Sequence, residues 1–125
     1  MVTKRILHIG IASPKYIHKR MMEIAKGGAK SSTEPRVWFT SYEALARVLS
    51  RQNIMLIEIL REFEPESVTE LANKVGREKT NVLRSLKTLK EFDIVEFHEG
   101  EGGRKPPRLK YDAFQSTFFP RRKVA

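Results

Sequence analysis

An α+β fold is predicted, and three observations carry the prediction. Three helical apolar patterns follow one another between Asn53 and Glu91, with Pro65 and Gly76 as the breaks between them. After them "IVEFHEG" alternates in the two-residue period of a strand, a loop rich in glycine and proline follows, and a second extended run returns. Before them the first 38 residues read as strand, helix and strand.

A chain of 125 residues with 40% apolar content can bury one core, so a single compact domain with a short N-terminal addition is expected. We divide it into a strand-helix-strand extension (1–38), a central domain (39–112), and a C-terminal strand with a basic tail (113–125). The chain has no cysteine, which excludes disulfides, thiolate metal sites and cysteine nucleophiles and agrees with a cytoplasmic location. The opening "KRILHIGIASP" mimics a signal peptide, but His8 and Gly10 interrupt its apolar run, and it is read as a strand. No stretch approaches the roughly 20 apolar residues that span a bilayer, so no membrane partner is expected.

Taken in order, Arg5 to Ile11 is the first strand. Ser13 is an N-cap and Pro14 the first helical residue of a helix carrying Ile17, Met21, Ile24 and Ala25. "KGGAKSSTEP" stops that helix as a polar linker. It is not a phosphate loop, because that pattern needs glycine where Ala29 and Ile24 stand. Arg36 to Phe39 is a short strand. Thr40 and Glu43 then make a capping box for a helix carrying Leu45, Val48 and Leu49. "NIMLIEILREF" is apolar around more than one stripe and is expected to be covered on more than one side, as the central helix of the core or a dimer seam. Ser67 and Glu70 form a second capping box for a short helix that Gly76 closes in the left-handed conformation. A third helix runs from about Glu78 to Glu91.

Charge is blocked along this chain. The net charge of +9 is built from +6 over residues 1–30 (seven cations, one anion) and +4 over 77–90 (five and one). A further +6 lies over 104–125 (seven and one), against −2 over 31–76 (five and seven) and −5 over 91–103 (none and five). Blocks on a helix and on a loop can converge on one polyanion, where uniform basicity would only aid solubility.

In the third helix Val82, Leu86 and Leu89, with Leu83 and Phe92 beside them, face the core and leave Arg77, Thr80, Asn81, Arg84, Lys87 and Thr88 outward. A short helix, a glycine turn and a second helix with a wet, basic, donor-rich face is the helix-turn-helix plan. Asn81 and Arg84 are the candidates for base contacts, because these side chains present paired polar atoms to adenine and guanine. Arg77, Lys79, Thr80 and Lys87 are the candidates for phosphate contacts. The hairpin that follows makes this a winged helix-turn-helix. Its Arg104, Lys105 and Arg108, held between glycines and prolines, are expected to enter a minor groove or grip phosphate. No catalytic constellation, metal-ligand set or cofactor motif is recognisable; Glu96, His98 and Glu99 lack convergent partners.

The motifs "FTSYEALARVLS", "EPESVTELANKVGREKTNVLRSLKTLKEFDIVEF" and "GGRKPPRLKYD", from Phe39 to about Asp112, resemble the MarR-like winged-helix transcriptional regulators of bacteria and archaea. More closely they resemble a group of DNA-binding proteins, some of which are associated with toxin–antitoxin loci. The resemblance implies a recognition helix equivalent to residues 78–91, with Arg77, Lys79, Thr80, Asn81 and Arg84 on its DNA face. It implies double-stranded DNA as partner and, for the antitoxin alternative, a toxin protein as a second. A homodimer on two half-sites is expected, joined through residues 54–63 or through the N-terminal strand with Phe114, Phe118 and Phe119. A protein-interaction module is the other alternative, and an enzyme is not expected.

Overall fold

Ser13 accepts a hydrogen bond from the Tyr16 amide (3.2 Å) and Pro14 supplies a preset φ, so a helix starts immediately after the first strand. A computed structural model describes residues 4–121, so the end of the expected basic tail, from residue 122 on, lies outside the described residues. In chain order the elements are β1 (Ile6–Ile11), α1 (Pro14–Ala25), β2 (Val37–Phe39), α2 (Tyr42–Val48), α3 (Arg51–Phe63), α4 (Val68–Val75) and α5 (Lys79–Glu91). After them come β3 (Val95–Phe97), β4 (Pro107–Leu109) and β5 (Ala113–Phe118). The fold is α+β. No helix among the described residues is long and apolar enough to cross a membrane.

The chain forms two compact units where its length suggests one. The first combines the residues up to Ala46 with those from Ala113 on; the second is Arg47–Asp112. The N-terminal extension and the C-terminal strand are therefore parts of one unit, and the division falls within α2 rather than at residue 38.

The sheet unit is built on three parallel strands in the order β2-β1-β5. α1 provides the crossover that a parallel β1–β2 pair requires. β1 is central, and Leu7, Ile9 and Ile11, which alternate along it and so share one face, are buried. This corrects two expectations. β1 is not an unpaired strand: it pairs with β5 from Ile6↔Ala113 to Ile11↔Phe118 and with β2 from Ile9↔Val37 to Ile11↔Phe39, so the outer edges of the sheet belong to β2 and β5. The run after Leu109 does not continue the hairpin: at Ala113 it enters this sheet as β5. Gly10 lies opposite Trp38, and a Cβ there would stand 2.4 Å from the indole ring. Trp38, Tyr16 and Phe119 form an aromatic cluster with centroid separations of 5.3 to 6.1 Å. The linker is tied to α1 by Arg20, whose guanidinium donates to Glu34 Oε2 (3.0 Å), Glu23 Oε2 (3.1 Å) and the Ala29 carbonyl (3.1 Å). Arg20 holds the Glu34 carboxyl below its ordinary range.

At the start of α2 the cap is Ser41, whose Oγ accepts from the Ala44 amide (3.1 Å), and not the expected Thr40. Both residues have a side-chain oxygen of the right type, and strand β2 runs to Phe39, which moves the helix start one residue on.

The helical unit packs α3, α4 and α5 in sequence, with hairpin β3–β4 closing it. Its core contains Leu56, Leu60, Leu71, Val82, Leu86, Leu89, Ile94 and Val95, each 2% exposed or less. Full burial of one such leucine contributes roughly 2 to 3 kcal/mol. α3 buries one stripe, Asn53, Leu56 and Leu60, and Asn53 is satisfied by donating to the Val48 carbonyl (2.8 Å). The wider coverage expected for α3 is not found within the described residues, since Ile54, Met55 and Phe63 are 42%, 50% and 49% exposed. The apolar run is longer than the stripe that α4 and β4 cover.

Candidate functional site

The α4–α5 pair is set by local chemistry. Ser67 Oγ accepts from the Glu70 amide (3.0 Å), and Glu70 Oε2 accepts from the amide of Glu66 (3.0 Å), one residue before the cap. Gly76 takes φ 69°, in the left-handed region, and its N–H donates to the Ala72 carbonyl, ending α4. Three residues later, at Lys79, α5 begins, and Val82, Leu86 and Leu89 fix its orientation by burying one face completely.

On the other face Lys79, Thr80, Asn81, Arg84 and Lys87 are exposed. Arg84 Nη1 donates to Asn81 Oδ1 (3.3 Å), so these two side chains lie together one turn apart. No ion-pair partner is found for Lys79, Arg84 or Lys87 among the described residues. Their charge is available to a ligand.

Two of the residues read as outward on α5 are engaged in structure instead. Arg77 is half-buried; its Nη2 donates to Ser85 Oγ (3.0 Å) and to the Asn81 carbonyl (3.5 Å), and its Nη1 is buried without a partner. It braces the turn into α5. Thr88 is half-buried, and its hydroxyl donates to the Arg84 carbonyl (3.2 Å), the back-bond common for threonine within a helix.

The hairpin divides its cations in the same way. Arg104 and Lys105 are exposed beside a short 3₁₀ turn, Glu101–Gly103, in which Gly102 and Gly103 take φ of 66° and 76°. Only glycine adopts such a pair of angles without strain, so the tip that carries these cations depends on both. Arg108, by contrast, is not held out by the loop. Its Nη1 donates to the Pro65 carbonyl (2.6 Å) and the Pro107 carbonyl (2.9 Å), and its Nε lies 3.5 Å from Glu64 Oε2. It fastens β4 to the turn between α3 and α4. Lys110 is also taken up, by Asp93, which raises its pKa, while the Tyr111 hydroxyl donates to the other Asp93 oxygen (2.8 Å).

His98 Nε2 and Glu96 Oε1 lie 2.9 Å apart as a surface pair. Among the described residues no three His, Asp or Glu side chains gather as a metal would require. Sequence patterns assign no site to the N-terminal segment. The structure brings Lys15, Lys19 and Arg121 to one cleft of the sheet unit. Only the four-residue spacing of the two lysines is visible in the sequence; Arg121 arrives through the pairing of β5 with β1.

No curated protein matches the chain. A family model does match, from residue 48 to residue 116, which is more than half of the chain and takes in α3, α4, α5, the hairpin and most of β5. The exposed cations of α5 and of the hairpin tip all lie within the matched residues, and the chain belongs to the HVO_A0114 family.

Proposed function

We propose that this protein is a sequence-specific regulator of transcription that binds double-stranded DNA with a winged helix-turn-helix. The observation that carries the reading is the outward face of α5, where Lys79, Thr80, Asn81, Arg84 and Lys87 stand exposed behind a helix orientation fixed by three fully buried side chains. In this reading α4 and α5 are the helix-turn-helix, and α5 enters the major groove. Asn81 and Arg84 meet base edges as a pair, and Lys79, Thr80 and Lys87 neutralise phosphates. Hairpin β3–β4 is the wing, and Arg104 and Lys105 at its tip reach the adjacent minor groove or backbone. The protein acts in the cytoplasm by binding and performs no catalysis.

A second copy doubles the base contacts. The exposed Ile54, Met55 and Phe63 on α3 offer one seam, and the outer edge of β5, with Phe118 exposed, offers the other.

Selection of bound fragments from random duplex DNA, followed by a salt titration, tests the proposal. A recovered site and a steep fall of affinity with salt are expected. Lys87→Ala should weaken all sequences alike and reduce the salt slope by about one, whereas Asn81→Ala should relax the preference at one position of each half-site. Absence of any selected site, or a salt slope near zero, would remove the reading.

A further inference from the structure

At the carboxyl ends of β1 and β5 the sheet unit holds a cleft of about 560 Å³, within the size range of small-ligand sites. Lys15, Tyr16, Lys19, Arg20 and Glu23 of α1 line it, with Arg121 from the chain after β5. Four of these side chains are cationic and one is anionic. Arg20 and Glu23 pair with each other at 3.1 Å, and Arg20 is further held by Glu34. Lys15, Lys19 and Arg121 have no ion-pair partner among the described residues, so three uncompensated positive charges share one concavity.

The position adds a second argument. β1 and β5 are parallel neighbours, so the segments leaving them, Ser13 after β1 and Arg121 after β5, emerge at the same end of the sheet. The chain leaving β1 crosses by α1 to β2, on the side of β1 away from β5. Ligands of open parallel sheets sit outside the carboxyl ends of the strands, the end at which this cleft lies. Tyr16 is stacked on Phe119 at 5.3 Å, which fixes its ring at the wall of the cleft.

We propose that this cleft binds a small molecule carrying two or more phosphate-type charges, with Lys15, Lys19 and Arg121 as its ligands. Concavity selects the class. A duplex presents its phosphates along an extended convex surface, whereas cations that converge from two segments suit a compact anion that enters between them. Arginine offers a planar fork to two oxygens, and the lysines act as point charges on the rest. The cleft lies outside the family match, and the proposal does not depend on DNA binding.

Isothermal titration of the full chain with inorganic pyrophosphate is the test. Saturable binding with one site per chain is expected. Lys15→Gln together with Lys19→Gln should weaken it about a hundredfold, and Arg121→Gln about tenfold, at about tenfold for each cation neutralised. Lys87→Gln, on α5, should leave it unchanged. Unaltered Trp38 fluorescence confirms that the variants keep the sheet unit folded. No saturable binding to the parent chain overturns the proposal, as does equal affinity in the double variant. Displacement of pyrophosphate by a short DNA duplex, lost in the double variant, would assign the cleft to nucleic acid and overturn it as well.

Discussion

In the sheet unit Lys15, Lys19 and Arg121 come from segments distant in sequence and face one hollow, whereas Lys79, Arg84 and Lys87 stand along the outside of a single helix. Neither group has an ion-pair partner among the described residues, and both are drawn from strongly basic stretches of sequence. What separates them is shape. A row on a convex helix rises by about 1.5 Å per residue and suits a repeating ligand, while a ring around a hollow suits a compact one. A third set of cations, Arg20, Arg77 and Arg108, serves neither purpose, because hydrogen bonds to carbonyls, a hydroxyl and carboxylates already occupy them. Net charge alone distinguishes none of the three.

The comparison breaks most severely if the platform under the convex row is removed. Leu86→Ala should cost about 3 kcal/mol, because Leu86 is fully buried and the helical unit has little else to fill the space. Urea unfolding followed by far-ultraviolet circular dichroism measures it, and the proposed DNA binding should weaken with the loss of the helix. The corresponding perturbation of the sheet unit is Gly10→Val. Even its Cβ would overlap the Trp38 ring, and a loss of about 1 to 3 kcal/mol is expected. Trp38 is the sole tryptophan, so its fluorescence reports this variant directly.

Arg108→Ala sharpens the contrast between occupied and available cations. Leaving the Pro65 carbonyl without its partner should cost about 1 to 2 kcal/mol, with no change in the salt slope of the proposed DNA binding. A slope reduced by about one would return Arg108 to the phosphate contacts. The smallest effect is expected for Glu34→Gln. Arg20 lowers the folded-state pKa of Glu34. The pair therefore stabilises fully above the unfolded carboxylate pKa and loses its contribution as pH falls through the lowered value. Thermal melts should place the variant roughly one to two degrees below the parent at pH 7, with the difference vanishing in acid.

The helical unit is the more legible of the two in sequence. Ser67, Gly76, Val82, Leu86 and Leu89 act within a few residues of their partners, so caps and periodicity are enough to locate α4, α5 and the buried face. The sheet unit depends on pairings that no local pattern encodes. "AFQSTF" reads as a strand wherever it docks, and nothing in it names β1 rather than the hairpin as its neighbour. Arg108 misleads for a related reason. Its flanking glycines and prolines suggest a free loop, but in the β3–β4 register it lies opposite Glu96 on a strand, within reach of Pro65. The Lys15–Lys19 spacing is visible in the sequence, but the hollow that gives it meaning is not.

The pairing of β1 with β5 also bears on how the chain matures during synthesis. Residues 47–112 are contiguous and can acquire their native packing soon after they leave the ribosome. β1 must wait about a hundred residues for one of its two neighbours, a slow closure that segments paired locally avoid. Of the three strands in this sheet, the first to be translated is thus the last to gain both neighbours, and until β5 is made one edge of β1 stays open to chaperones.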